Sequence, residues 1–244
     1  MKSFKTTTEA AVGQSIARVF ERSADSVEHK LETFPRYVRR QQLKRFLAMY
    51  EIYKRILPVK GSIVECGVFR GFGFMTWVKL GAILEPENLT RRVYGFDSFA
   101  GFPTLSAEDQ NRNTETHVGD LRSDSHDELV ELLSLHDQDR FLGHIPKAQL
   151  IKGDISGTAA RFVQENPHLV VSLLFLDVDL YEPTRAAIRA FLPRMPRGAV
   201  IAFDELDNPQ WPGETAALLE EVGLNKLRLE RLEWDPYISF AHLE

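Results

Sequence analysis

From Gly61 onward, short apolar runs alternate with stretches of helical spacing, and this rhythm limits the possible folds more than any other feature. The predicted strands cover 62–66, 92–96, 149–152, 170–178 and 199–203, with predicted helices at 72–84, 127–135, 158–164 and 183–192. Strands this apolar are buried on both faces, as in a parallel sheet covered by helices on either side. Right-handed crossovers follow. The end of the chain breaks the rhythm: "KLRLERLEWDPYISFAHL" reads as two strands joined by a turn at Trp234–Asp235–Pro236. The expected fold class is α/β, a three-layer Rossmann-like sandwich whose sheet is mostly parallel and ends in an antiparallel strand.

The first 60 residues read differently. Residues 1 to about 35 are polar, with a mixed helical pattern at Ile16, Val19 and Phe20. The segment "RYVRRQQLKRFLAMYEIYKRIL" places Leu43, Phe46, Leu47, Tyr50, Tyr53 and Ile56 at helical spacing, and Pro58 and Gly61 stop it. We expect an N-terminal helical extension over 1–60 and one catalytic-sized domain over 61–244. Between Asp97 and the strand at Gln149 lie about 50 residues rich in Asp, Ser, Asn and His. An insertion this long inside a compact domain is usually a lid or a binding loop, and its span is about 98–146. It follows the carboxyl end of a strand, where open α/β sheets bind ligands.

Composition narrows the function. A net charge of −5 gives no global basic field for nucleic acid or an anionic membrane. No apolar run is long enough to span a bilayer. The opening "MKSFKTTTEA" has no apolar core of a secretory leader, so a cytoplasmic protein is expected. A single cysteine, Cys66, excludes an internal disulfide and a cysteine-based zinc site.

Strand, glycines and helix succeed one another in "IVECGVFRGFGFMTW". Gly67, Gly71 and Gly73 permit close backbone approach to a ligand. Their spacing, G-x-x-x-G-x-G, does not match the dinucleotide fingerprint, and Glu65 would repel a pyrophosphate. An acid there suits a cationic ligand such as the amino group of S-adenosylmethionine; the alternative is a buried acid bonded to the turn amides. Asp97 in "VYGFDSFAGFP" ends the second strand, where an acid can accept bonds from ribose hydroxyls or serve, like Ser98, as a helix cap. Asp154 in "KGDIS" either contacts an adenine or caps the helix that follows.

The densest constellation is "LLFLDVDLYEPT" with "VIAFDEL". Asp177 and Asp179 end one apolar strand, and Asp204 and Glu205 end the next. Adjacent parallel strands end at one rim, so these carboxylates converge and repel by several kcal/mol, taking about 4 kcal/mol per close pair at an effective dielectric near 20. A hard divalent cation, magnesium, would relieve that repulsion. Capping together with pairing to Arg185 or Arg189 is the other explanation.

At these residues the chain resembles the macrocin O-methyltransferase-like family. The resemblance runs from about Gly61 through "FDEL" and is carried by "IVECGVFRGFG", "VYGFDSFAGFP", "LFLDVDLYEPTRAAIRAFLPRMPRGAVIAFDEL" and, less specifically, "WPGETAAL". It implies a class I methyltransferase fold with a seven-stranded sheet, and a magnesium- and S-adenosylmethionine-dependent enzyme that methylates sugar hydroxyls of natural products. The family's metal-binding acids map onto Asp177, Asp204 and Glu205. Its cofactor positions map onto Glu65, Gly67, Asp97, Ser98 and Asp154, with Gly71 in the same turn. At Glu205 the family often has aspartate, so a longer acid stands here.

The resemblance also implies a histidine base from the long insertion. His117, His126, His136 and His144 fall in that window, and His117 is the expected base, acting beside Asp177. The expected partners are a sugar-containing small molecule and other copies of the chain. A catechol-type O-methyltransferase, a nicotinamide-dependent dehydrogenase and a non-catalytic binding protein of the same fold are the competing readings. The glycine spacing and Glu65 argue against the dehydrogenase, and the intact acids argue against the loss of catalysis.

Overall fold

The structure, a computed structural model, describes residues 6–110 and 116–244, without the side chains at 7 and 10. The expected N-terminal extension and lid therefore each include residues outside the described ones. The chain falls into two compact units, Met1–Leu47 and Ala48–Glu244.

The first unit contains α1 (Thr7–Arg22), α2 (Val27–Glu32) and the start of α3 (Arg40–Ile56). Thr6 begins α1 with a capping box, its hydroxyl accepting the Glu9 amide at 3.1 Å while Glu9 accepts the Thr6 amide at 2.9 Å. The end of α3 belongs to the second unit. Ala48, Met49, Ile52, Tyr53 and Ile56 form its buried face there, whereas Leu47, counted in the expected apolar stripe, is half exposed.

The second unit continues with β1 (Ser62–Cys66), α4 (Phe72–Leu84), β2 (Val93–Asp97), α5 (His126–Asp139), β3 (Ala148–Lys152) and α6 (Ile155–Glu165). It closes with β4 (Val171–Leu176), α7 (Tyr181–Phe191), β5 (Val200–Phe203), α8 (Gly213–Glu221), β6 (Glu230–Leu232) and β7 (Asp235–His242). The seven strands form one sheet in the order β3-β2-β1-β4-β5-β7-β6. All pairs are parallel except β5–β7 and β6–β7.

Every residue of the inner strands β1, β4 and β5 is buried, which is why they read as unbroken apolar runs. Val64, Leu174 and Ile201 pack with Phe162 of α6 and Phe191 of α7 on one side of the sheet. Phe74 and Trp77 of α4 are likewise fully buried, and Trp77 meets Phe175 edge to face at 5.5 Å.

Two expectations need correction. The terminal hairpin turns at residues 233–234, and Asp235 and Pro236 lie inside β7, with Asp235 paired to Leu232. A proline is tolerated there because it stands at the start of the strand, beside a register shift between Arg231 and Leu232. The helix α8 was not expected. It is short, begins after Pro212 without a side-chain cap, and buries only Gly213, Glu214, Ala217 and Leu218, so its sequence carries almost no apolar stripe.

Candidate active site

Strand register puts Gly67, Asp97, Asp177 and Asp204 on one rim. Cys66 pairs with Phe96 and with Leu176, and Leu176 pairs with Phe203. The ladder runs one step further: Gly67 N–H donates to Phe96 O (2.9 Å), Asp177 N–H to Cys66 O (2.9 Å), Asp204 N–H to Leu176 O (3.0 Å) and Gly153 N–H to Asp97 O (2.9 Å). Strand order reverses between β1 and β4, and a cleft opens at that switch point. It encloses about 540 Å³ of empty space and is lined by Gly67, Asp97, Ser98, Asp154, Asp177 and Asp179, with Phe69, Phe102 and Leu121 among its apolar walls.

The glycine turn is built by close approach. Gly67 has φ +92°, and a Cβ on it would lie 1.8 Å from the Asp177 carbonyl oxygen. A Cβ on Gly71 (φ +85°) would lie 2.3 Å from Leu129 of α5. Asp97 fastens the turn: Oδ2 accepts the amides of Val68 (2.8 Å) and Phe69 (2.7 Å), and Oδ1 accepts that of Phe99 (2.6 Å). A carboxylate has about four acceptor sites, so little of Asp97 is left for a ribose hydroxyl. Ser98 closes the next turn, accepting the Ala100 amide at 3.1 Å and donating to Gly101 O at 2.8 Å. Asp154 caps α6, accepting the Ser156 amide at 2.9 Å, while also lining the cleft. Glu65 is outside the cleft wall. It is buried on β1, and a Cβ at Gly73 would lie 1.9 Å from its Oε1.

Three non-glycine residues of the wall have left-handed backbone: Phe69 (φ 50°), Leu121 (φ 57°) and Asp179 (φ 63°). Such conformations persist where the surroundings enforce them, commonly at ligand sites.

The β4–β5 end of the rim is acidic. Asp177 and Asp179 line the cleft, whereas Asp204 and Glu205 do not. Behind them is an acid that the sequence pattern did not single out. Glu214 of α8 is fully buried and accepts the amides of Val178 (3.2 Å), Asp179 (3.3 Å) and Glu205 (3.2 Å). Burial holds its carboxyl well above the ordinary range, and the charges of Asp179, Asp177 and Asp204 push it further up. The Asn208 amide donates to the Glu205 carboxylate. Pairing with the two arginines is not what balances the rim, because Arg185 bonds Glu182 (2.8 Å) and Arg189 bonds Glu221 (2.7 Å). Among the described residues, no group of three or more His, Cys, Asp or Glu side chains is disposed to hold a metal ion.

The insertion after β2 is fastened to both sides of the cleft. The hydroxyls of Ser123 and Ser125 donate to Phe69 O at 3.1 and 2.6 Å, and His126 meets Phe99 edge to face at 5.1 Å. On the other side, Phe102 meets Trp211 at 5.8 Å, and Asp109 accepts the Tyr181 amide at 2.7 Å. Burial raises the Asp109 pKa, opposed by its bonds to the Ser106 and Tyr181 amides.

None of the four histidines of the insertion lines the cleft. His117 is 68 % exposed, with Nδ1 3.7 Å from Asp120. His126 bonds Asp127 at 2.7 Å, and His144 is exposed. His136 is buried elsewhere, in a cavity it shares with Tyr53 and Arg91, and burial lowers its pKa.

Comparison with known proteins gives consistent findings. A family described as Macrocin-O-methyltransferase (TylF) matches residues 37–218. The crystal structure of CalS11, a calicheamicin methyltransferase, superposes with a TM-score of 0.92 and 33% identity, covering 98% of this chain and 94% of that one. Its apo form, described as a TDP-rhamnose 3′-O-methyltransferase of calicheamicin biosynthesis, gives a TM-score of 0.86 and 32% identity over 98% and 96% of the two chains. A 4′-O-methyltransferase of Streptomyces olivaceus acting on 8-demethyl-8-(2,3-dimethoxy-α-L-rhamnosyl)-tetracenomycin C is 31% identical over 157 residues, or 60% of this chain. The match spans about half, 53%, of that relative's length.

Proposed function

The chain belongs to the macrocin-O-methyltransferase family, and we propose that it methylates a sugar hydroxyl, on a nucleotide-linked sugar or a glycosylated natural product of antibiotic biosynthesis, using S-adenosylmethionine. The cleft at the β1/β4 switch point carries this reading: a glycine turn on one wall and carboxylates on the other face the same space. The described relatives, which act on rhamnose carriers, favour a sugar over a catechol.

The residues present fit the cofactor. Left-handed Gly67 lines the cleft, whereas Gly71 packs against Leu129 outside it, and Asp97, Ser98 and Asp154 stand at the ends of β2 and β3 along the cleft. S-adenosylmethionine, when bound, supplies an activated methyl group on a sulfonium. Gly67 and Ser98 shape the binding wall. Glu65 lies behind the turn, buried on β1. Asp177 and Asp179 would orient the acceptor, and Asp179 would take the proton from its hydroxyl. We place this role on Asp179 and not on His117 because Asp179 lines the cleft and His117 does not.

Magnesium on Asp177, Asp204 and Glu205 is supported by donor chemistry alone. Hard oxygen ligands accumulate at the rim, but the side chains are not gathered as a metal set. No proton movement above depends on it. A homo-oligomer is supported by exposed Val19, Val27, Leu31 and Phe34 on the first unit. No helix among the described residues is long and apolar enough to cross a membrane.

Isothermal titration with S-adenosylhomocysteine, followed by mass spectrometry of turnover on deoxysugar nucleotides and glycosides, tests the proposal. Binding and a single methyl addition to a sugar are expected. An absence of binding by pure, folded protein would sink it. Turnover undiminished in EDTA would remove magnesium and leave the methyl transfer standing.

A further inference from the structure

Glu214 lines no part of the cleft, yet it holds the acidic wall together. Oε1 accepts the amides of Val178 and Asp179, just past β4, and Oε2 accepts the amide of Glu205, just past β5. The sheet ladder between these strands ends with the Asp204 to Leu176 bond. Beyond it, the Glu214 carboxylate carries the tie forward.

The choice of an acid needs explaining, since it is buried beside three like charges. Both oxygens of a carboxyl group can accept, ionised or protonated, whereas an amide side chain of the same size accepts on only one. An acid at 214 can therefore serve two strand ends at once. The neighbouring residue shows how tightly α8 starts against the same segment. A Cβ on Gly213 would lie 2.4 Å from the Tyr181 nitrogen, 2.8 Å from the Leu180 carbonyl carbon and 2.4 Å from Asp109 Oδ1. Asp109 in turn accepts the Tyr181 amide. The backbone around Asp179, itself left-handed, is thus gripped from α8 and from the insertion.

We infer that Glu214 is a positioning residue for methyl transfer: its two carboxylate oxygens fix residues 178–179 against residue 205, and so fix where Asp179 stands over the cleft. This rests on the methyl-transfer reading above. Glu214 touches neither cofactor nor acceptor.

The test uses the full chain with Glu214→Gln, Glu214→Asp and Glu214→Ala. The readouts are amide hydrogen exchange at Val178, Asp179 and Glu205, affinity for S-adenosylhomocysteine, and kcat and KM for the acceptor. In Glu214→Gln, one oxygen remains and the NH2 faces a donor, so protection should fall about 10-fold or more at one strand end and persist at the other. We expect kcat to fall roughly 10- to 100-fold with S-adenosylhomocysteine affinity within about threefold of wild type. Glu214→Asp, which keeps two oxygens on a shorter stem, should recover part of kcat relative to Glu214→Ala. Unchanged exchange at all three amides in Glu214→Gln overturns the inference, as does a parallel fall of kcat, ligand affinity and thermal midpoint. If Glu214→Ala does not fold, the Gln variant decides alone. If wild type neither binds S-adenosylhomocysteine nor methylates any sugar, the methyl-transfer reading and the positioning role both fail. The exchange data would still report whether Glu214 ties the two strand ends.

Discussion

The two walls of the cleft are held by the same device, made in different ways. On the β1–β2 side, Asp97 accepts three amides from two strand ends, those of Val68, Phe69 and Phe99. On the β4–β5 side, Glu214 accepts three amides from two strand ends, those of Val178, Asp179 and Glu205. Asp97 is itself the last residue of β2 and lines the cleft. Glu214 arrives from a helix, fully buried and among like charges. The first wall is organised by a residue already at the rim. The second needs a support brought in from behind, leaving Asp177 and Asp179 to face the cleft. Under the proposed function, the first wall recognises the cofactor and the second handles the acceptor proton.

The sharpest way to break this division is Asp179→Asn. Asparagine tolerates the left-handed backbone, so the fold should survive while kcat falls about 10²- to 10⁴-fold, as expected for loss of a proton acceptor. Affinity for S-adenosylhomocysteine should hardly move in isothermal titration. A large loss of affinity would show that the walls are not separate in function. Asp97→Asn probes the opposite wall. One of its oxygens becomes a donor facing an amide, and roughly 1–3 kcal/mol is lost where a buried amide goes unpaired. Affinity for S-adenosylhomocysteine should drop on the order of 10-fold, with acceptor KM little changed.

The smallest effect sits on the acidic side and depends on pH. The pKa of Asp109 is raised in the folded protein, chiefly by burial. Stability linked to its protonation is fully present below the unfolded value near 3.8 and is lost as pH rises through the folded pKa. Lowering the pH through that window should therefore stabilise wild type relative to Asp109→Asn, by at most about 1.4 kcal/mol per pH unit. Urea midpoints measured across the window check the sign. A relative loss for wild type on acidification would mean that the hydrogen bonds to Ser106 and Tyr181 outweigh burial.

Much of this was legible in the residues. The inner strands declared themselves because burial on both faces leaves no polar positions to blur them, and the glycine turn because left-handed backbone and close approach demand glycine at 67 and 71. The seven-stranded sheet with its antiparallel end and the family both follow the sequence expectation. Less was legible where a role depends on direction. Asp97 was expected at the cleft and is there, yet most of its acceptor capacity serves the protein's own amides. Glu65 stands two residues before Gly67 and still faces away from the cleft wall, because β1 alternates its side chains between the sheet's two faces. His117 falls in the insertion at a plausible distance along the chain, but loop residues carry no periodicity that says where they point.

By itself, the sequence determined the sheet, its rim and the acids that end its strands, because hydrophobic periodicity and glycine stereochemistry are local and leave marks at fixed spacing. Only the tertiary structure decided which of those acids face the cleft and which single carboxylate stands behind them. Glu214 shows why: its partners lie 36, 35 and 9 residues back along the chain, and a hydrogen bond across that separation is set by how α8 packs on the strand ends, which no local pattern records.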